Sequence, residues 1–368
     1  MDSLTSATWS ADRRERLVRT LRLRSVPGLG RARAARWVRS EGGLGGALVR
    51  ARRQVAEPAL DHPGAERAAD ALLRSCARFD VRVVIPGDAV YPPSFEHLED
   101  PPSLLFLRGT PLRDGEQAVA VVGSRDATSY GLGVARDLAR ALASAGVCVV
   151  SGLAHGVDGA AHRGALEAEG RTIAVLGRGP ERAYPHAHAG LMRDITRQGA
   201  LWSEYAPGVG PRRHHFPERN RLIAGLSCAT VVVEAAERSG ALITARLGLE
   251  AGTDVWAVPG PIDSPKSRGA HALIRDGARP VCSIGELVEA YTSAGSTTPG
   301  ERTPGGVSAI AVAVWNRLSG GAVHLDDILA DWSGEAPRPG VVLAALAELE
   351  LGGWVRRQPD ASWVRRAA

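Results

Sequence analysis

The chain has 368 residues, 44% of them hydrophobic, which gives two or three domains and material for at least one sizeable core. Forty-five basic against 40 acidic residues leave a formal net charge of +5, which admits an anionic partner without separating nucleic acid from a membrane or a ribosome. No apolar stretch reaches the length of a membrane span, Cys76, Cys148, Cys228 and Cys282 form no CxxC pair, and residues 1–16 lack a signal-peptide core. A membrane protein, a disulfide framework and a zinc site are therefore set aside, buried reduced thiols are expected, and the cytoplasm is the expected location.

In chain order, residues 1–78 read as a helical domain rich in alanine and arginine, with helices from about residue 10. Inside it, Val26-Pro27-Gly28-Leu29-Gly30 precedes the helix from Arg31 to Val38. A glycine turn opening into a helix can point backbone N–H groups at a phosphate, as in a helix-hairpin-helix; a plain turn between packed helices fits as well. Residues 79–112 are proline-rich and partly extended, and either bridge two domains or add strands to the second of them. From residue 117 apolar runs alternate with stretches of helical length. The runs are Ala118 to Val122, Val147 to Val150, Thr172 to Leu176, Ala229 to Val233 and Asp254 to Val258; the helices include Tyr130 to Ala145 and Val157 to Glu169. Runs with so little polar alternation are strands buried on both faces, and the alternation predicts a parallel sheet with right-handed crossovers. This α/β domain covers residues 79–292. Residues 293–306 read as a Ser/Thr/Pro/Gly linker. In residues 307–368, three helices (Ala309 to Leu318, Leu325 to Trp332, Val341 to Glu350) and a hairpin with Gln358 to Ala361 at its tip make a winged helix, a unit that binds duplex DNA in some proteins and protein in others.

Ligands of open parallel sheets bind beyond the carboxyl ends of the strands. Three such ends carry glycine or a hydroxyl: Gly123-Ser124-Arg125, Ser151-Gly152-Leu153-Ala154-His155-Gly156-Val157-Asp158, and Glu234 to Gly240, where Ser239 and Gly240 close the turn. Together they predict a phosphate-binding rim. The rim lacks GxGxxG, a Walker A loop (the only lysine, Lys266, stands between Pro265 and Ser267) and a GxSxG elbow, which sets aside a dehydrogenase, an ATPase and a serine hydrolase. The segment Arg212 to Arg221 is either a solvated basic loop or a contact surface in which its arginines meet phosphates, Asn220 reads a base edge or holds the loop, and Phe216 or a neighbouring histidine stacks on a base. No histidine has metal-ligand spacing, and neither a metal nor a cofactor is expected. Asp158 and Glu234 serve as bases or as helix caps and arginine partners, the latter being preferred for Asp158.

Val122-Gly123-Ser124-Arg125, the stretch Ser151 to His162, Phe216-Pro217-Glu218-Arg219-Asn220-Arg221 with Leu222 to Ser227, and Glu234-Ala235 with Ser239 to Ala245 resemble, in order and spacing, the DNA-processing A (DprA/Smf) family over residues 80–290. The flanks are similar to the sterile-α-motif-like and winged-helix domains of some members. The resemblance implies a Rossmann-like central domain that binds single-stranded DNA, dimerises, protects the strand and loads the RecA recombinase in natural transformation, without being an enzyme. It implies that Gly123, Ser124 and Arg125 hold a backbone phosphate. Ser151 and Gly152 would line the same pocket, Arg219, Asn220 and Arg221 would close it, and Ser239 and Gly240 would stand opposite. Members often carry another residue, frequently arginine, in place of Glu218, so an acid there weakens the local field. Two alternatives stand beside this reading. One is a nucleotide phosphoribohydrolase, suggested by Ser239-Gly240 followed by Glu250 but lacking that group's PGGxGTxxE loop. The other is a protein scaffold whose DNA binding is incidental.

Overall fold

In the computed structural model the described residues are 9–26, 28–54, 64–292, 307–318, 323–330, 332, 337–352, 354–357 and 362–365. Pro27, the expected linker 293–306 and the expected hairpin tip at 358–361 lie outside them. The chain divides into two compact units, Met1–Thr292 and Ser293–Ala368.

The first unit opens with α1 (Ala11–Arg24), α2 (Arg31–Ser40), α3 (Leu44–Gln54) and α4 (Gly64–Arg78). Ser10 starts α1, its hydroxyl accepting the Arg13 N–H at 3.2 Å. The chain then enters a sheet of β1 (Arg82–Val84), β2 (Leu105–Gly109), β3 (Ala118–Val122), β4 (Cys148–Ser151), β5 (Thr172–Leu176), β6 (Ala200–Ser203), β7 (Ala229–Val232), β8 (Asp254–Ala257) and β9 (Arg279–Pro280), in the order β1-β2-β6-β5-β4-β3-β7-β8-β9. From β6 to β9 all neighbours are parallel. The expected parallel sheet is present in the strands from residue 118 onward, and at one edge β2 runs antiparallel to β6 and β1 antiparallel to β2. The proline-rich segment thus adds strands. A strand that precedes the first crossover needs no helix to reach its place, so it is free to run either way.

The helices between the strands are α5 (Ser129–Ser144), α6 (Val157–Glu167), α7 (Ala189–Gln198), α8 (His215–Gly225), α9 (Gly240–Glu250), α10 (Arg268–Arg275) and α11 (Ile284–Thr292). β3 shows why its residues are apolar without a break. Ala118, Ala120 and Val122 pack with Leu222 and Ile223 of α8 and Ala241 and Ala245 of α9. Val119 and Val121 pack on the other face, with Ala135 and Leu138 of α5 and Ala161 of α6. Successive side chains point to opposite faces, and here both faces are covered. A third cluster joins α1 and α4 to the sheet edge: Leu17, Val18, Leu73 and Cys76 meet Val83, Ile85 and Phe106. Cys76 and Cys148 are buried and no disulfide forms, but Cys228 is half-buried and Cys282 is exposed, which corrects the expectation that all four thiols are buried.

The second unit holds α12 (Ala309–Arg317), α13 (Leu325–Ala330), α14 (Pro339–Leu351) and a hairpin of β10 (Val355–Arg357) and β11 (Trp363–Arg365), around Val314, Trp315, Ile328, Leu346 and Trp363. This is the expected winged helix. The residues of α14 include no lysine or arginine, and its exposed side chains include Val341, Leu343, Glu350 and Leu351. No helix among the described residues is long and apolar enough to cross a membrane.

Candidate nucleic-acid interface

From β3 the chain winds outward through β4, β5 and β6, then returns so that β7 lies on the free side of β3. The strand order therefore reverses between β3 and β7, and the two connections leave in opposite directions. That reversal opens a crevice above the carboxyl ends of the two strands. A cleft of 350 Å³ occupies it, walled by Gly123, Ser124 and Arg125 after β3, Ser239 and Gly240 at the start of α9, and Phe216, Arg219 and Asn220 from α8.

The turns at the strand ends are locked to one another. Gly156 has φ +74°, and a Cβ there would stand 2.2 Å from the Ser124 carbonyl oxygen. Only glycine allows the β4 turn to approach the β3 turn so closely. The next residue, Val157, donates its N–H to the same oxygen at 3.1 Å. Ser124 Oγ accepts the Asp126 N–H at 3.2 Å. Glu234 accepts the Thr128 N–H at 2.9 Å and the Thr128 hydroxyl, while Thr128 Oγ1 caps α5 by accepting the Gly131 N–H at 3.1 Å. Glu234 is thereby spent on a helix start. Ser239 caps α9 in the same manner, its Oγ accepting the Ala241 N–H at 3.2 Å.

The basic segment is not a loop from His215 onward: it is the first half of α8, with Pro217 in the first turn, where a missing N–H costs nothing. Arg212, Arg213 and His214 are exposed, but Arg219, Asn220 and Arg221 are all buried. Arg219 donates to the carbonyl oxygens of Gly152 (2.8 Å) and Val175, and its Nε donates to Asn220 Oδ1 at 3.1 Å. Asn220 Nδ2 in turn donates to the Gly240 carbonyl at 3.2 Å, so one chain of hydrogen bonds ties α8 to the β4 turn, to β5 and to α9. Burial pulls the Arg219 guanidinium down to about 10, against the opposing pull of Asp158, and it stays charged at neutral pH. Burial pushes the Asp158 carboxyl up, and the Arg219 charge opposes that shift. Asp158 also accepts the Ala154 N–H at 3.3 Å. The floor of the cleft is thus a buried guanidinium with the Asp158 carboxyl beside it.

The remaining residues fall into two places. Ser151 is fully buried and donates its hydroxyl to the Val121 carbonyl at 2.7 Å, inside the sheet below the cleft. Gly152 lies against Arg219, without lining the cavity. Arg221 points to the other side of α8, where it grips Glu204 with two bonds of 2.6 and 2.8 Å and donates to the Asp100 carbonyl at 3.0 Å. The structure therefore brings together Gly123, Ser124, Arg125, Arg219, Asn220, Ser239 and Gly240, and leaves Ser151, Gly152 and Arg221 outside the cavity wall.

Over the floor, Arg125 is exposed and its guanidinium stacks on the Phe216 ring at 4.8 Å. Tyr184, 43% exposed, lies on from Phe216 with ring centroids 5.6 Å apart and planes tilted by 37°. Sequence reasoning misses Tyr184, which belongs to the turn after β5, although Gly177-Arg178-Gly179 at that strand's carboxyl end is a glycine signal like those of the other three. Glu218 accepts the Tyr205 hydroxyl at 2.8 Å, and Tyr205 stacks on His215 with centroids 3.8 Å apart. No group of three or more His, Cys, Asp or Glu able to hold a metal occurs among the described residues.

Fold and cleft define a doubly wound α/β protein with its binding crevice at the strand-order reversal, followed by a winged helix. Residues 82–292 match the family model of DNA recombination-mediator protein A, and residues 298–361 match that of the DprA winged helix domain. The chain is 40% identical over 323 residues to a DNA processing protein DprA of Mycobacterium tuberculosis, covering 82% of each chain, and 41% identical over 284 residues to protein Smf of Escherichia coli, covering 75% of each. Among solved structures, DNA processing protein A of Streptococcus pneumoniae superimposes with a TM-score of 0.62 at 34% identity, over 73% of this chain and 96% of that one. A structure describing the single-stranded DNA binding mode of DNA processing protein A from Helicobacter pylori gives a TM-score of 0.53 at 29% identity, over 58% of this chain and 95% of that one. The chain belongs to the DNA recombination-mediator protein A (DprA/Smf) family.

Proposed function

We propose that the chain binds single-stranded DNA in this cleft, protects it, and as a homodimer joined through the central domain loads the RecA recombinase onto it in transformation or recombination. The recombinase and the dimer rest on family membership; the strand binding rests also on the cleft. Its carrying observation is the juxtaposition of Arg125 stacked on Phe216 above a floor that holds the buried Arg219 guanidinium beside Asp158. Such a site offers a guanidinium to a phosphate and ring faces, Phe216 and then Tyr184, to successive bases. Gly123, Ser124 and Gly240 let backbone and hydroxyl approach the same phosphate. Arg219 acts through its charge and holds Asn220 in place, while Ser151, Gly152 and Arg221 set the positions of the elements around it.

The protein acts here as a binder and not as a hydrolase. Glu234 is engaged with Thr128, and Asp158 sits beside Arg219. Glu250, the acid required by the phosphoribohydrolase reading, ends α9 and meets Arg246 at 3.4 Å. It stands ten residues from Gly240, about 15 Å along the helix from the cleft. The absence of basic residues from α14 also favours a single strand in the first unit over a duplex read by that helix.

Fluorescence anisotropy with labelled single-stranded and duplex oligonucleotides tests this. Arg125→Ala should weaken single-strand binding about fivefold at 0.1 M salt and make the log–log salt slope shallower by about 0.7, the value of one phosphate contact. Phe216→Ala should cost about 1–3 kcal/mol with the slope unchanged, because stacking releases no counterions. Equal affinity for duplex and single strand, or release of free base from AMP, would refute the reading.

A further inference from the structure

The cleft is not where the positive charge of this chain is concentrated. Residues 31–54 hold seven arginines and one glutamate, a net of +6 against +5 for the whole chain. They form α2 and α3, which meet around Trp37, Ala47 and Ala51. Between them runs a groove of 860 Å³ lined by Arg33, Arg36, Trp37, Arg39, Ser40 and Arg50, with no carboxylate among these residues.

We propose that the groove between α2 and α3 is a second DNA site, which takes the phosphodiester backbone of strand outside the cleft. The neighbouring helix supplies the contrast. On α1 two arginines are matched within the helix, Arg16 with Asp12 at 3.3 Å and Arg19 with Glu15, and two more meet acids elsewhere, Arg13 with Asp88 and Arg14 with Asp70, each at 2.9 Å. Neither α2 nor α3 contains an acid. Arg33, Arg36 and Arg39 follow one another at three-residue spacing on one face of α2, where like charges repel. Among the described residues Arg33 and Arg36 meet no carboxylate, and both are exposed.

The groove is built and not merely charged. Trp37 is buried as its floor, with the Arg50 guanidinium stacked on the ring at 5.0 Å and bridged to Glu41 at 2.7 Å. Arg39 donates to the carbonyls of Leu98 (3.1 Å) and Glu99 (2.7 Å), which fixes α2 to the central domain. The heads left for a ligand are Arg33 and Arg36, with Arg39 at the groove's end. Along the axis, Arg33 and Arg39 stand about 9 Å apart. Because Arg39 is held by the Leu98 and Glu99 carbonyls, binding falls to Arg33 and Arg36, whose neighbouring charges, with no carboxylate among the groove residues, suit the successive phosphates of a backbone. A covered Trp37 cannot stack on bases, so the site reads backbone charge and no sequence.

The test uses the full chain in three forms, wild type, Arg33→Glu/Arg36→Glu and Arg125→Ala, against a short oligonucleotide that fills only the cleft, a long single strand, and a duplex of the long sequence. The double variant should bind the short oligonucleotide as wild type does. It should bind the long single strand about 25-fold more weakly at 0.1 M salt, with a slope shallower by about 1.4. If duplex is the natural occupant, the loss falls on that arm, about 60-fold with a slope change of about 1.8. Arg33→Gln/Arg36→Gln, which cannot repel the ligand, must act in the same direction. Unchanged binding of both long substrates by both double variants overturns the proposal. Because Arg125→Ala is read on the short oligonucleotide, failure of the cleft and failure of the groove are separate results.

Discussion

Replacing Gly152 by alanine adds one methyl group at the most crowded point beneath the cleft. A Cβ there would lie 2.2 Å from one Arg219 terminal nitrogen, 2.5 Å from its Cζ and 2.6 Å from Asp158 Oδ2. Those atoms cannot simply swing away, since Arg219 is buried and donates to the carbonyls of Gly152 and Val175. Alanine must expel the guanidinium from both acceptors. Two hydrogen bonds from a charged donor, at about 1.5–3 kcal/mol each, put the loss at about 3–6 kcal/mol. Urea denaturation reads it directly as a lower midpoint with the m-value unchanged. A double-mutant cycle isolates the cause: in an Arg219→Met background, where the guanidinium is gone, Gly152→Ala should cost about 1 kcal/mol or less. If the two losses instead add, or if Gly152→Ala alone costs under about 1 kcal/mol, Gly152 does not hold the space for Arg219 and the description of the cleft floor is wrong.

Buried charge leads to two further expectations. Arg221→Met takes from Glu204, which is 2% exposed, its two bonds to the guanidinium and should cost about 3–5 kcal/mol in denaturation while the folded protein keeps its affinity for single-stranded DNA; Arg221→Met/Glu204→Met should recover most of the stability. An affinity loss in the folded single variant would return Arg221 to the cleft. His162 is fully buried, its Nδ1 on Thr172 Oγ1 at 2.7 Å, and because that hydroxyl gives its proton to the Val149 carbonyl the histidine must be the donor. Burial holds its pKa down to about 3 against the usual 6.5, so below about pH 6.5 the unfolded chain gains a proton that the folded one refuses. Stability should fall by about 1.4 kcal/mol per pH unit from there towards pH 3. His162→Gln, compared with wild type by urea titration between about pH 6 and pH 4, should lack that component of the slope; identical slopes would refute it.

The central strands are legible in the sequence because burial on both faces removes polar alternation, and Ala118–Val122 and Thr172–Leu176 fall where they are expected. β6 escapes such a reading because its apolar run is only Ala200-Leu201-Trp202, between Gly199 and Ser203. The antiparallel edge strands have no pattern to set their direction. At the site, the glycine-rich turns are visible since close approach of backbones demands glycine. The fate of α8 is not: three adjacent polar residues look solvated until Gly152, Val175, Gly240 and Glu204 are known to receive them. Charge in a sequence shows no partner, and here partners 17 to 67 residues away decide that Arg219 and Arg221, two positions apart, serve opposite sides of one helix.

The apolar seam that joins α1 and α4 to β1 and β2 has a consequence for the order in which the protein is made. A chain leaving the ribosome delivers its N-terminal helices first, and domains generally fold as they emerge. Around Trp37 the early helices can meet at once, because Leu23, Val26, Ala47 and Ala51 are already present. Leu17, Val18, Leu73 and Cys76 cannot close until Val83, Ile85 and Phe106 have emerged, and β2 pairs only when β6 arrives with residues 200–203. That seam therefore stays open while residues 79–106 are being made, and its β2 side stays unpaired until about half of the chain has emerged.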